Sequence, residues 1–411
     1  MPTPSILLIG TLDTKGVEIG YCRDRLRSLG AQVLVLDSGI LGEALGITAD
    51  FPRQAVAEAA GYSIEQLRQA GSRGKAVELM KEGVRQLTLD LLAQGRLDGV
   101  LCLGGAEGAI MGSTAMRALP LGIPKVIVTP IASGRRHFGM LIGDLDITVM
   151  HSVVDILGLN PVSTVVYDNA CAAVWGMAQH GSRFKPAPAG SRFVGVTMLG
   201  VSTPGVMALR DRLAQHGYES VIFHANGVGG PAMEKFAELG TFVGVVDYTT
   251  NELACLQVGG FHVPPPDRLE RVGAVGLPQV VVPGVVDLTT HGTPSALPEA
   301  MRNRPLYYHN PEMTLARTLK DEMAAIGATM ARKLNESKGP VVVMVPTGGL
   351  SQPNRPGGVF WDPEADAALL RALQDGLRRD IPLITVAAHI NDAGFAQRVA
   401  DEFLKLMEQK G

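Results

Sequence analysis

The chain has 411 residues, of which 46% are apolar and 19% are charged, and this composition predicts a soluble globular protein with a large buried core. No apolar run reaches the roughly 20 residues of a membrane span, which excludes a transmembrane protein. Lys plus Arg (37) nearly balances Asp plus Glu (40) and no basic tract occurs, so nucleic-acid binding is disfavoured.

The first residues, MPTPSILLIG, contain one short apolar run with no basic leader and no cleavage site. That pattern is typical of a first strand and not of a signal peptide. The four cysteines show neither metal-ligand spacing nor a disulfide framework, and they are Cys22, Cys102, Cys171 and Cys255. We therefore expect a cytoplasmic protein with reduced thiols.

The first half of the chain alternates short β-branched runs with helical patterns. Apolar residues recur every three or four positions between the runs, as in helices that cover a sheet. The predicted strands are 5–10, 32–37, 98–105 and 124–130, and the clearest helices are 16–29 and 75–94. Runs of this kind indicate buried parallel strands.

A segment rich in Gly, Pro and basic residues, 180–192, then interrupts the alternation and predicts a boundary between a domain at 1–185 and one at 192–411. The predicted strands after it are 192–200, 219–227, 241–247, 278–284, 340–349 and 382–389, and the predicted helices are 311–334, 363–377 and 391–407. Both halves are therefore predicted to be doubly wound α/β domains.

The strongest local motif is GTLDTKG at 10–16, where a buried strand ends and a helix begins. Ligands of open parallel sheets bind at this edge, and a helix start favours anions. Thr11 and Thr14 supply hydroxyls, and Lys15 supplies positive charge. Asp13 is interpreted first as a helix cap and second as a ligand for a metal ion or a sugar hydroxyl. The motif matches neither a Walker phosphate loop nor a dinucleotide fingerprint.

A second turn, GGAEG at 104–108, also follows a predicted strand. Gly104, Gly105 and Gly108 allow the backbone to approach a ligand closely, although a plain strand-to-helix turn needs glycine as well. Glu107 would repel a bound phosphate unless a cation lay between them. A third turn contains Ser133 and Arg135, which indicate either an anion site or a solvated surface.

In the second half, polar residues follow the predicted strands and predict a polar rim on one sheet edge. The rim residues are His224, Asp247, Asp287, Thr347 and His389. His224 is interpreted either as a general base or substrate-binding donor, or as a structural histidine. Together with Asp247 and His389 it is also a candidate metal site.

Two helix caps are predicted in this half. Thr249 or Thr250 with Glu252 or Leu253 resembles a capping arrangement after the strand 241–247. Asn310 is the predicted cap of the helix 311–334.

Seven motifs in the same order resemble the ATP-binding domain family of the tomato tobamovirus-resistance inhibitor and its stand-alone bacterial relatives. They are GTLDTKGVE, PKVIVTPIASG, the stretch 143–169, TMLGVSTPGV, VIFHANGVGGPAME, VVDYTTNELA and HNPEMTLART. The resemblance implies two Rossmann-like subdomains, each a mostly parallel sheet with helices on both faces. It also implies self-association as a homodimer or a higher homo-oligomer.

The same resemblance implies ATP binding in the first half, with Mg²⁺ as a compatible ion. The implied contacts are Thr11, Asp13, Thr14, Lys15, Gly104, Gly105 and Gly108. This chain departs from the family pattern at Ala106 and Glu107, where relatives carry small and hydroxyl-bearing residues.

Three hypotheses follow from these observations. The first is a nucleotide-binding protein with its ligand in the first-half cleft. The second is an enzyme that acts on a small anionic metabolite between the halves, with His224 and Asp247 as acid–base or metal-holding groups. The third is a scaffold with a vestigial site.

Overall fold

The computed structural model describes residues 3–132 and 139–410, and the chain divides into two compact units, Met1–Lys185 and Pro186–Gly411. Each unit is an α/β domain with a parallel sheet between helices, so the prediction of two Rossmann-like subdomains is confirmed. Within the described ranges, no helix combines the length and apolar character that crossing a bilayer requires.

Among the described residues, the first unit contains five strands and seven helices. The strands are β1 (Ser5–Gly10), β2 (Gln32–Asp37), β3 (Gly99–Leu103), β4 (Lys125–Thr129) and β5 (Thr148–His151). The helices are α1 (Leu12–Ser28), α2 (Arg53–Ala59), α3 (Ile64–Arg68), α4 (Arg73–Ala93), α5 (Ala106–Arg117), α6 (Gly139–Ile142) and α7 (Pro161–His180). The strands pair in parallel in the order β2-β1-β3-β4-β5.

An apolar layer packs on each face of this sheet. Alternate residues of a strand point to opposite faces, so each strand contributes to both layers. Leu7 and Ile9 of β1 pack with residues of α4 and α5, whereas Ile6 and Leu8 pack with residues of α1 and α7. Every residue of β1 is buried. Burial on both faces explains why the strand is a continuous apolar run.

In its described part, the second unit contains a six-stranded parallel sheet, a three-stranded antiparallel sheet and eight α-helices. The parallel strands are β6 (Phe193–Met198), β7 (Glu219–His224), β8 (Gly244–Asp247), β9 (Gln279–Val281), β13 (Val341–Pro346) and β14 (Leu383–Val386). The antiparallel strands are β10 (Leu288–His291), β11 (Leu306–Asn310) and β12 (Met313–Arg317). The helices are α8 (Thr203–Gln215), α9 (Gly229–Glu238), α10 (Asn251–Val258), α11 (Arg271–Ala274), α12 (Glu299–Arg302), α13 (Lys320–Asn335), α14 (Pro363–Gly376) and α15 (Ala393–Lys410).

The two parallel sheets are wound in the same way. The second has the order β14-β13-β9-β8-β6-β7, so in both units the second parallel strand lies outside the first and later strands extend the other side. This winding places a topological switch point beside the first strand of each unit.

The predicted helix 311–334 was wrong at its start. Residues Met313–Arg317 form β12, and α13 begins only at Lys320. Asn310 ends β11, and its side chain accepts a hydrogen bond from the Glu312 backbone N–H at 2.9 Å, so it stabilises a hairpin turn and caps no helix. The strand pairings of β12 on both sides override the local helical pattern.

Candidate functional site

The switch point of the first unit lies between β1 and β3. These strands are neighbours, but α1 after β1 packs on one face of the sheet and α5 after β3 packs on the other. The two connections therefore leave the sheet edge in opposite directions and open a gap there, which is where ligands of this fold type bind.

A cavity of about 1030 Å³ lies at this edge of the first unit. The turn after β1, the loop after β2, the start of α4 and the turn after β3 line it. The predicted site residues among its lining are Thr11, Asp13, Thr14, Lys15, Gly105 and Gly108. The predicted contact Gly104 is not part of this lining. A Cβ added to Gly104 would lie 2.7 Å from Gly108 Cα, so the close approach of the two backbones requires glycine.

Three helices, α1, α4 and α5, begin at the cavity. The first N–H of α1, on Leu12, donates to Asp37 Oδ1 at 3.0 Å, and the Lys75 N–H of α4 donates to Ser72 Oγ at 3.2 Å. The start of α5 has Gly105 at its N-cap position and no side-chain cap. Converging helix starts make the cavity favourable for negative charge, most directly at α5.

The turn between β1 and α1 presents two hydroxyls to the cavity. Thr11 Oγ1 and Thr14 Oγ1 lie 2.9 Å apart and hydrogen-bond to each other. The turn is tight because Gly10 ends the strand against α1, where a Cβ would lie 2.6 Å from Ile19 Cδ1. The pair is accessible to a ligand, since Thr14 is exposed and Thr11 is half-buried.

The interpretation of Asp13 as a helix cap was wrong. The N-cap position belongs to Thr11, and no side chain of this turn caps the helix. Asp13 Oδ2 instead accepts a hydrogen bond from the Gly42 backbone N–H at 3.0 Å. Asp13 therefore holds the loop after β2 against the start of α1 and shapes one wall of the cavity.

Lys15 lines the cavity, but its ammonium group donates to the backbone carbonyl of Ile156. Its backbone departs from helical geometry, with φ −124° and ψ 17° inside α1. The positive charge of Lys15 thus lies beside the cavity while its hydrogen bond ties α1 to the segment after β5.

Glu107 forms an ion pair in the cavity lining with Arg73, the first residue of α4. Arg73 Nη2 lies 2.6 Å from Glu107 Oε2, and its Nε lies 2.8 Å from the same oxygen. Arg73 is thus a cation beside Glu107 that no sequence motif indicated. The sequence does indicate a helix start at Ser72 and Arg73, because a strongly periodic helix follows them. It does not indicate that this helix start lies beside 104–108.

Asp37, which no sequence pattern singled out, supports the cavity from behind its lining through hydrogen bonds to Leu12 and Gly39. It ends β2, and its Oδ2 accepts from Arg53 Nε at 3.0 Å while Oδ1 accepts from the Gly39 N–H at 2.9 Å. Both Asp37 and Arg53 are buried. Asp37 thereby sets the direction in which α1 leaves the sheet, and its carboxylate is not available to a ligand.

In the second unit, Asp247 lies at the end of β8 in a buried ion cluster. Arg268 Nη1 and Nη2 donate to its two carboxylate oxygens at 2.6 and 2.9 Å, and Thr197 Oγ1 also donates to Oδ1 at 2.7 Å. Glu234 and Glu252 pair with the same guanidinium. Burial raises the pKa of Glu234 to about 8.

The glycine turn after β7 is occupied by Glu252. Its Oε1 accepts from the backbone N–H groups of Gly227 at 2.9 Å and Gly230 at 3.1 Å. The predicted capping role of Glu252 with Thr249 or Thr250 was therefore wrong. Thr250 holds the N-cap position, but its side chain makes no capping hydrogen bond, and its Oγ1 donates to the Val282 carbonyl oxygen at 3.1 Å. The N–H groups that an external anion would need are already satisfied by a buried carboxylate.

The remaining rim residues have different surroundings. His224 is exposed at the end of β7, and Thr347 is exposed after β13. Asp287 and His389 both contact Ser351: Ser351 Oγ donates to Asp287 Oδ2 at 2.6 Å, and His389 Nε2 lies 2.9 Å from the Ser351 carbonyl oxygen. Burial raises the pKa of Asp287 to about 6.

No cluster of three or more metal-ligating side chains occurs in residues 3–132 or 139–410, where the candidate site of His224, Asp247 and His389 would lie. The predicted anion turn with Ser133 and Arg135 lies outside the described residues.

Comparison with known proteins finds one family over nearly the whole chain. Residues 4–183 match the N-terminal domain, and residues 191–407 the C-terminal domain, of the Uncharacterised protein family (UPF0261). A UPF0261 protein of Clostridium tetani is 38% identical over 406 residues, covering 98% of this chain and 99% of that protein. A UPF0261 protein of Mesorhizobium japonicum is 37% identical over 399 residues, covering 96% of this chain and 97% of that protein.

The chain is also similar to a plant protein. The ToMV resistance protein Tm-1(GCR237) of Solanum lycopersicum is 36% identical over 423 residues, which are 98% of this chain and 56% of the tomato protein. The chain therefore spans about half the length of that relative. The predicted resemblance to the tomato protein and its bacterial relatives is confirmed.

Proposed function

The chain belongs to the UPF0261 family, and from that premise we propose that the cavity of its first unit binds a nucleotide, ATP. The observation that carries the proposal is the cavity of about 1030 Å³ at the β1/β3 switch point, where three helices begin. Ligand pockets typically have volumes of about 300 to 1,000 Å³, so the space suits a ligand of nucleotide size. The resemblance to an ATP-binding domain family supports the same ligand.

Each predicted contact has a physical role in this proposal. The hydroxyls of Thr11 and Thr14 donate to phosphate oxygens beside the start of α1. The backbone at Gly105 and Gly108 allows the ligand to approach the uncapped start of α5. Lys15 adds positive charge at short range, and Mg²⁺ would reduce the charge of the bound phosphates.

Calorimetric titration of the full chain with ATP and Mg²⁺ tests the proposal. Thr11→Val with Thr14→Val keeps the shape of both side chains and removes both hydroxyls. We expect this double variant to bind ATP about tenfold more weakly, because it loses hydrogen bonds to a charged group. Stability should change little, since neither hydroxyl caps α1.

His224→Ala is the control, because His224 lies in the second unit and outside the cavity lining. It should bind ATP as the unmodified chain does. Absence of heat at millimolar ATP, or unchanged affinity in the double threonine variant, would contradict the proposal.

The alternative of an enzyme that uses His224 and Asp247 on a small anionic metabolite stays a prediction. Its support is weaker, because Arg268 and Thr197 already bond to the Asp247 carboxylate. The scaffold hypothesis and the expected homo-oligomer also stay predictions, the latter resting on the family resemblance.

A further inference from the structure

The ion pair of Arg73 and Glu107 links the starts of two helices at the cavity. Arg73 is the first residue of α4 and Glu107 is in the first turn of α5, 34 residues further along the chain. Both side chains line the cavity and are accessible, with 73% and 41% of their surface exposed. Both hydrogen bonds from Arg73 go to Oε2 of the carboxylate.

Glu107 occupies the position where a ligand phosphate would gain most. The start of α5 has no side-chain cap, and a helix start favours negative charge within its first turn. Glu107 places a carboxylate there, and Arg73 supplies the matching cation from the start of α4. At this end of the cavity, the protein itself therefore supplies a carboxylate and the guanidinium that pairs with it.

The ion pair has no net charge, so it adds no net attraction for an incoming phosphate. Its negative member, Glu107, lies at the uncapped start of α5. Exposed ion pairs are weakly held, which means that a ligand competes with Glu107 for Arg73 and does not enter a fixed positive site. The repulsion from Glu107 grows with each unscreened negative charge on the ligand.

We propose that Glu107 sets the charge selectivity of the cavity, so that it takes the Mg²⁺ complex of ATP and disfavours free ATP. This inference rests on the proposed function and adds the form of the nucleotide that is bound. Mg²⁺ neutralises part of the triphosphate charge before the ligand meets Glu107. Glu107 contributes repulsion and is not a ligand to the ion.

The test is the affinity for ATP with Mg²⁺ and with excess EDTA, measured by calorimetry on the full chain and on Glu107→Gln. In the unmodified chain, removal of Mg²⁺ should weaken binding by more than about tenfold. In Glu107→Gln, which keeps the size of the side chain, free ATP should bind about tenfold more tightly than before. Binding of the Mg²⁺ complex should change much less.

Arg73→Gln should act in the opposite direction, because it leaves Glu107 unpaired and weakens binding of free ATP further. The double variant Arg73→Gln with Glu107→Gln should bind free ATP more tightly than Arg73→Gln alone, since it removes the repulsion of the unpaired Glu107. Glu82→Gln is the matched control: Glu82 forms an exposed ion pair with Arg85 on α4, outside the cavity lining, and its loss should leave both affinities unchanged.

Two results overturn the inference alone. One is an equal dependence on Mg²⁺ in Glu107→Gln and in the unmodified chain. The other is weaker binding of the Mg²⁺ complex by Glu107→Gln, which would make Glu107 a ligand to the ion. If neither protein binds ATP in either condition, the proposed function fails, and the inference fails with it.

Discussion

Glu234 has the weakest contact with Arg268 of the three carboxyl groups in the buried cluster. Three carboxylates share one guanidinium, and Glu234 has the longest contact, 3.4 Å against 2.6 Å for Asp247. Its Oε2 is buried without a hydrogen-bond partner. Burial raises the pKa of Glu234 from 4.5 to about 8, so the folded chain holds this carboxyl protonated at neutral pH.

The raised pKa of Glu234 predicts that stability depends on pH. Between pH 4.5 and about 8 the folded chain binds this proton more tightly than the unfolded chain does, so its contribution to the free energy of unfolding is full below pH 4.5 and is lost as pH rises through this range. Glu234→Gln keeps a neutral side chain at every pH. We expect the variant to match the unmodified chain near pH 5 and to exceed its stability near pH 8.

Urea unfolding at several pH values measures this difference, with each protein compared with itself across the series. Glu238→Gln is a suitable control, because Glu238 lies on the same helix α9 in a more exposed pair with Arg271. Parallel pH profiles for Glu234→Gln and the unmodified chain would show that Glu234 is already ionised in the folded state.

The direction of α1 depends on a carboxylate from a different element. Asp37 at the end of β2 accepts hydrogen bonds from the Leu12 N–H of α1 and from Arg53 of α2. Both charged side chains are buried, with 3% of Asp37 and 2% of Arg53 exposed. One side chain therefore joins a strand and two helices at the rim of the cavity. The first N–H of α1 therefore depends on the end of β2 for its hydrogen bond.

Asp37→Asn should lower the free energy of unfolding by about 3 to 5 kcal/mol, because it leaves the buried guanidinium of Arg53 without its counter-charge. Asp24→Asn on α1 removes a carboxylate whose side chain is 64% exposed beside Arg23, and it should cost no more than about 1 kcal/mol. Urea unfolding of both variants provides the comparison. Equal effects would mean that Asp37 is a replaceable surface charge.

Each of the two compact units has its own apolar core. The first is built on two clusters, one on each face of its sheet, and the second on separate clusters that include Val196 and Val343. The cavity lies wholly in the first unit. A unit with a complete core and a complete site has what it needs to fold and to bind without the other.

We therefore expect the fragments 1–185 and 186–411 to unfold cooperatively when each is expressed alone, and ATP binding to remain with the first fragment. Thermal unfolding followed by circular dichroism checks the folding, and calorimetry checks the binding. A fragment that lacks a cooperative transition would show that the units stabilise each other. Binding by the second fragment alone would place the nucleotide site elsewhere.

The pattern of apolar residues predicted strands correctly where burial of the strand determines that pattern. The predicted strands 5–10 and 32–37 agree with β1 and β2 at both ends. β1 is buried throughout and β2 over most of its length, which requires runs of mainly apolar residues. Periodicity failed at 311–319, where pairing with β10 and β11 made a strand of a stretch with a helical pattern. Local propensity is weak against such neighbours.

The amino-acid order alone was enough to place Thr11, Thr14, Gly105 and Gly108 at one sheet edge, since the ends of parallel strands must meet there. It did not reveal which charges face each other. Arg73 meets Glu107 across 34 residues, and Arg268 meets Asp247 across 21. Such pairs form only where packing brings two helix starts, or a loop and a strand, close together. Ion pairing depends on the distance between the charges in space, and no periodic pattern in the sequence reports that distance.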